Sequence, residues 1–298
     1  MVYKNSMKKL SNSTVLSMLG SLMLAVFLSI LAIMISVNVG FTTNSAVINS
    51  MNEVNYYQIV YDDFMSKSES MTIPCGLGTE VLDGVFSVEE MREDGNRYLK
   101  AELNSTAFEI DTEIYRKKLS DNIYAYIEAN NLTADGDVDE IVTHLINDIM
   151  DYYIDAIRVP YSATIGVIFR NISYYFKYIF GAMLVLSVAV ITLIVMQNPY
   201  KKNRIFRYLA YSTMSAAIST LVIPVFCIIT RFYRKLQIYP EYMYKFLVRY
   251  IENGINVFLI IGIVILVTSF VMIGLSSYIK YRYKHMHHTH HRHSTEED

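Results

Sequence analysis

Four uncharged apolar runs constrain this chain more than anything else in it: residues 15–39, 179–196, 208–230 and 255–277. At a helical rise of about 1.5 Å per residue, roughly 20 residues cross the ~30 Å hydrocarbon layer of a bilayer. A single segment in hydrocarbon must satisfy its own backbone N–H and C=O groups, and continuous apolar runs of this length do so as helices. The second run is the shortest. Tyr174, Tyr175 and Tyr178 precede it and extend its reach to headgroup depth. Only 18% of the residues are charged, against about a quarter in a soluble domain. That deficit lies inside the four runs, so the rest of the chain reads as ordinary water-facing protein.

The first run follows Lys4, Lys8 and Lys9. It is longer than the ~7–15 residue apolar core of a cleavable signal and has no A-x-A site after it, so it reads as an uncleaved anchor. Lys and Arg near the span ends set the orientation. Eleven lie at the N-terminus, the second-to-third connection and the C-terminus, against seven on the opposite side. Both termini are therefore expected in the cytoplasm of a multi-pass plasma-membrane protein. The expected order is a cytoplasmic N-terminus (1–14), a first span (15–39) and an outer domain (40–177). A second span (178–197), a cytoplasmic loop (198–207) and a third span (208–230) follow. The chain ends with an outer interfacial loop (231–254), a fourth span (255–279) and a His-rich cytoplasmic tail (280–298).

Residues 41–177 hold 23 Asp and Glu against 10 Lys and Arg, a balance of −13. Their apolar residues recur at helical spacing. Val47, Met51, Val54, Tyr61 and Met65 form one series, and Tyr115, Leu119, Ile123, Tyr126 and Ile127 a second. Val138, Ile141, Val142, Leu145, Ile149, Tyr152 and Ala156 form a third. Ser87 to Glu90 and Asp137 to Glu140 fit capping boxes, Asp111 is placed to cap the helix after it, and Pro160 fits a first helical turn. Residues 72–78 form a breaker-rich loop. The whole chain reads as all-α: four transmembrane helices with a helical extracytoplasmic domain inserted between the first and second. Cys75 falls in that domain and Cys227 in a span, so no disulfide is expected.

Asn131 to Val142 carries ligand-type residues at alternating positions, including Asp135, Asp137 and Asp139, with Gly136 at the turn of a calcium-loop pattern. Position 12, where a bidentate Glu belongs, is Val142. An acidic interhelical turn explains the same letters. The tail histidines His285, His287, His288, His290, His291 and His293 would take zinc, nickel or copper, although a tail without fixed geometry also reads as a membrane-surface segment. His144 sits on an amphipathic helix with Asp148 four residues on, within reach of a local pair. No catalytic residue and no cofactor are expected from these patterns.

The spans hold no charge at mid-depth, which argues against ion-coupled transport. Their small residues recur every four positions: Ser17, Ser21, Ala25 and Ser29 in the first, Ser212, Ala216 and Thr220 in the third. Such stripes let helices approach closely, and a hydroxyl-lined pore is the alternative. Residues 231–253 alternate basic and aromatic side chains with a balance of +3. Their rings suit headgroup depth, and Arg234, Lys235, Lys245 and Arg249 suit either headgroups or docking of the acidic domain.

Residues 76–130, with "VFSVEE" at 85–90 and "IDTEIYRKKLSDNI" at 110–123, resemble a group of uncharacterised four-span membrane proteins of Gram-positive gut bacteria. That group has a Gly-Leu-Pro-like start where this chain has Gly78. The resemblance implies the same topology and a cell-surface setting, and no activity. The spans also echo FtsX-like subunits, which place an outer domain between spans one and two. The second-to-third connection here is too short for a coupling helix.

The leading expectation is a non-enzymatic surface protein whose outer domain senses, binds or scaffolds a partner. An oligomeric channel lined by Ser and Thr hydroxyls is the second, and a membrane enzyme the third. The expected partners are the lipid bilayer, a second copy of the chain, and an unidentified protein or small molecule at the outer domain, with no nucleic acid.

Overall fold

The computed structural model describes residues 12–132, 138–200 and 202–293, with side chains described from 14 to 282. Among the described residues there are nine α-helices and no strand. They are α1 (Asn12–Phe41), α2 (Asn44–Glu53), α3 (Tyr56–Thr72), α4 (Val88–Asn104), α5 (Glu113–Ala129), α6 (Val138–Ile157), α7 (Ser162–Gln197), α8 (Lys202–Thr230) and α9 (Glu241–His293). Helices within Thr14–Phe41, Val138–Gln197, Lys202–Lys235 and Glu241–Arg282 are long and apolar enough to cross a membrane. The chain divides into two compact units. A bundle comprises Met1–Phe41, Ser173–Lys235 and Glu252–Asp298, and an acidic unit comprises Thr42–Ile172 and Leu236–Ile251.

In the bundle, span hydroxyls are mostly bonded within their own helices. Ser29 donates to the Ala25 carbonyl at 2.7 Å, Ser36 to Ala32 at 2.8 Å, Thr220 to Ala216 at 2.8 Å and Thr268 to Val264 at 2.8 Å. This is how a hydroxyl is carried into hydrocarbon without an orphaned proton. A second set ties helix to helix. Ser212 donates to the Ser21 carbonyl at 2.8 Å, Asn198 to Ser17 Oγ at 2.9 Å, Ser269 to the Ala210 carbonyl at 3.1 Å and Ser276 to the Asn203 carbonyl at 2.9 Å.

These pairings give the direction of each helix. Ser17 meets Asn198 while Gly20 meets Ile194, so α1 and α7 are antiparallel. Asn203 pairs with Ser276 and Ala210 with Ser269, so α8 and α9 are antiparallel too. The bundle therefore alternates direction from span to span. Its near end holds Ser17, Asn198, Asn203 and Ser276, and its far end holds Phe41 and Gly254. At the far end α1 and α9 approach until a Cβ on Gly40 would lie 3.2 Å from the Gly254 Cα, and Phe41 packs edge-on against Phe258.

The acidic unit is held by rings. Phe64, Phe86, Tyr115 and Tyr153 form a contiguous cluster with centroids 4.8–5.5 Å apart. Around it lie Met51, Val60, Met91, Leu99, Leu119, Ile123, Ile149 and Ile157, all essentially dry. Tyr115 and Tyr153 both donate to Asp94 Oδ2, at 3.1 and 3.0 Å, so one carboxylate serves two buried phenols. Tyr57 lies against Gly95, where a Cβ would sit 2.2 Å from the ring. Ser87 caps α4 by accepting from the Glu90 N–H at 3.2 Å. Its hydroxyl donates to the Glu90 carboxylate at 2.8 Å, whereas the capping-box pattern has that carboxylate accept from the cap's own backbone N–H.

Several elements differ from the sequence expectation. The single series expected over 47–65 is two helices, because Asn55 takes the left-handed conformation at φ 51° between them. In α6 the buried face is Val142, Leu145, Ile146, Ile149, Met150, Tyr153 and Ile157, with Ile141 exposed. Pro160 lies before α7 rather than in its first turn. The helix opens at Ser162 after Tyr161 turns at φ 63°. Thr112 occupies the cap position of α5, yet Asp111 supplies the acceptor, taking the Glu113 N–H at 3.0 Å. The acidic unit also includes 236–251, which the sequence reading assigned wholly to an interfacial loop. From Glu241 onward that stretch is helix, continuous with the fourth span.

Two outcomes are expected. A Cβ at Gly254 would lie 2.0 Å from the Phe41 ring, whereas nothing lies within 4 Å at Gly274. Gly254→Ala should therefore destabilise the detergent-solubilised protein by about 1–3 kcal/mol, and Gly274→Ala should be neutral or stabilising, as read by thermal unfolding. Second, burial raises the Tyr115 phenol from 10.0 to about 12, and the Asp94 charge adds to the rise. Tyr153 is raised too, by burial first and then by Tyr115. These phenols hold their protons more tightly folded than unfolded. Their contribution to stability is thus complete below pH 10 and declines as pH climbs toward 12. Alkaline titration should show Tyr115 and Tyr153 ionising only together with loss of helix.

Candidate functional site

The breaker-rich stretch after α3 builds a concave apolar surface on the acidic unit. Ile73–Cys75 makes one tight 3₁₀ turn, and Gly76 reverses the chain at φ 74°. Leu77, Val81, Leu82, Val85 and Phe86 then bury into the core. Asn122 of α5 pins this loop by donating to the Val81 and Asp83 carbonyls, both at 3.1 Å. Between the turn and the facing ends of α5 and α6 lies a recess of about 470 Å³. Pro74, Cys75 and Leu77 form one wall, and Ile127, Val138, Ile141 and Leu145 the other. Cys75 is a free, exposed thiol at its rim; Cys227 is also free. The recess has the size and apolar lining of a ligand or side-chain pocket.

The basic and aromatic stretch expected at the membrane interface is split between the units. Arg234 and Lys235 fall in the bundle, in the short 3₁₀ helix Phe232–Lys235, where Arg234 Nη2 bonds Glu252 at 2.6 Å. Lys245 and Arg249 fall in the acidic unit. Lys245 pairs with Glu241 one turn back at 2.9 Å, and Arg249 with Glu53 of α2 at 2.5 Å. Most of the attachment of this stretch is apolar. Met243 and Phe246 are buried in the core of the unit. Tyr56 packs edge-on against Tyr242 at 5.3 Å and Phe246 at 6.1 Å, and its hydroxyl donates to the Met243 sulfur at 3.6 Å. The recurrence of 239, 242, 246 and 250 was visible in the sequence. A ring stripe of that period fits a headgroup layer or a protein core equally well, and only the partner ring of Tyr56 separates the two.

Elsewhere the small-residue stripes face each other. Ser17, Ser21, Ala25, Ser212, Ala216 and Thr220 are buried, with Ser29 half-buried. His144 is exposed and lies 3.9 Å from Glu140, one turn back, instead of pairing with Asp148. Asp139 accepts from the Tyr124 hydroxyl at 2.7 Å. Asp135 and Asp137 lie outside the described residues. So do the side chains of His285, His287, His288, His290, His291 and His293. Among the described residues no group of three or more His, Cys, Asp or Glu is placed to hold a metal.

Replacing Phe246 by Ala should cost about 3–5 kcal/mol of stability in the acidic unit. Arg249→Gln, which breaks an exposed ion pair, should cost under about 1 kcal/mol. Limited proteolysis of the full chain in detergent reads both. A loss from Arg249→Gln as large as that from Phe246→Ala would place the ion pair ahead of ring packing.

Compared with protein-family models, with curated proteins and with solved structures, the chain matches none.

Proposed function

We propose that this is a cell-surface membrane protein whose acidic unit is displayed outside the cytoplasm and binds or scaffolds a partner there, without catalysis of its own. One observation carries the reading. The four points at which the chain passes between the units, after Phe41, Ile172, Lys235 and Ile251, all fall at the far end of the bundle. Both stretches of the acidic unit therefore leave the bilayer on one side. The near end carries Lys202, Arg204, Arg207, Lys280 and Arg282, the positive charge retained on the cytoplasmic face. With that end cytoplasmic, the far end and the acidic unit that continues from it face outward.

The binding reading draws on the apolar recess beside Cys75, with the net negative charge of the unit to steer a partner of opposite charge. The scaffold reading is favoured over a channel because Ser21 and Ser212 bond each other across α1 and α8, and Thr220 bonds back to Ala216. Those hydroxyls are occupied in packing.

The exposed thiol supplies the test. A membrane-impermeant maleimide added to intact cells should label the wild type and fail to label Cys75→Ser. Labelling that requires lysis would invert the orientation and end the surface reading. An impermeant maleimide carrying a photoreactive diazirine should in addition yield, on illumination, a discrete cross-linked species through Cys75. Full modification with no adduct would count against partner binding at the recess.

A further inference from the structure

A second recess lies in the bundle, along the groove between α1 and α8, with a volume of about 400 Å³. Its floor is apolar and faces outward: Met18 and Leu22 are more than half exposed, and Ala25 is small enough to leave the groove open. Its mouth is polar, with Arg207 and Thr14 around it, and Tyr211 and Ser215 line the α8 wall beyond. Arg207 is exposed, and no side chain among the described residues pairs with its guanidinium or with the Tyr211 hydroxyl. From Thr14 to Ala25 the α1 wall rises by roughly 16 Å, about the depth of one leaflet of a ~30 Å hydrocarbon layer.

We infer that this groove is a binding site for one anionic glycerophospholipid, with its phosphate on Arg207 and an acyl chain along Met18, Leu22 and Ala25. The chemistry at the two ends differs in the way a lipid's does. A guanidinium at the end of a span presents a planar fork of N–H donors that matches phosphate oxygens. It sits one residue before the apolar run that begins at Tyr208, which is headgroup depth for a helix end. Tyr211 lies one turn further along the same face, within the reach of glycerol and ester oxygens, and Ser215 two turns further, about 12 Å along the axis, beside the acyl chain. Beyond Thr14, the α1 wall facing them has no polar group to offer except Ser21, whose hydroxyl is already engaged with Ser212. A free phosphate would use the mouth and leave the floor empty. A lipid uses both.

The inference rests on the bundle spanning a bilayer, but not on which face the acidic unit occupies. The full chain is reconstituted into nanodiscs of phosphatidylcholine alone or mixed with phosphatidylglycerol, and retained lipid is counted by native mass spectrometry. Wild type should retain phosphatidylglycerol about fivefold over phosphatidylcholine, the preference expected of one phosphate–cation contact near the membrane surface. Arg207→Gln should remove the preference, while Lys202→Gln and Arg204→Gln keep it. If Arg207→Gln fails to fold, Ser215→Leu carries the test: it fills the groove and leaves the cation, and should lower retention as well. Equal retention of the two lipids by wild type overturns the site. So does an equal loss in all three charge variants, which marks general surface attraction. Inorganic phosphate that stabilises the protein in phosphatidylcholine discs as well as phosphatidylglycerol does would also overturn it. A chain that stays soluble without detergent would instead overturn the membrane reading, and the site with it.

Discussion

Hydrogen-bond satisfaction in an apolar medium is the constraint on which the architecture depends. Hydrocarbon accepts a helix because each backbone donor finds an acceptor four residues back. It accepts Ser and Thr only on similar terms. Here Ser29, Ser36, Thr220 and Thr268 return their protons to their own helix. Ser212, Ser269, Ser276 and Asn198 spend theirs on a neighbouring segment. Each such contact is modest, about 0.6 kcal/mol on average in a membrane protein. Their value lies in direction: a donor whose acceptor lies across the helix interface favours one register that apolar packing alone would leave loose.

The acidic unit works by a different physics. Its surface carries most of the negative charge of the chain, so its cohesion comes from a compact ring cluster rather than from ion pairs, most of which are exposed. Asp94 is the exception that makes the cluster possible. By accepting from Tyr115 and Tyr153 it lets two large amphipathic side chains sit in the core without an unsatisfied hydroxyl. Gly95, the next residue, provides the space for Tyr57. One turn of α4 thus sets the position of three tyrosines from three helices.

How much of this was legible in the sequence depended on the range of the interaction. The spans were legible because hydrocarbon thickness imposes a length that few other environments demand. The cap at Ser87 was legible because it is local. The break at Asn55 was not, since neither Gly nor Pro marks it and the left-handed turn of an Asn leaves no pattern. Asp94 was not legible either, because its two donors lie 21 and 59 positions away. The turn bearing Cys75 was visible as a run of breakers, whereas the opposite wall at Ile127 and Ile141 comes from helices that only the fold brings near. The groove beside Arg207 was half visible: its small residues were read as packing, but the opening they leave was not.

The acidic unit is discontinuous, and that affects how it can be made. Met243 and Phe246 complete the core around Tyr56, yet they are synthesised only after α7 and α8. A nascent unit ending at Ile172 must wait with one side of Tyr56 uncovered, open to chaperones and proteases. Completion of its core therefore requires that α7 and α8 have been made and α9 has begun. The solidity of this unit is thus set by a segment made about seventy residues after its first stretch ends.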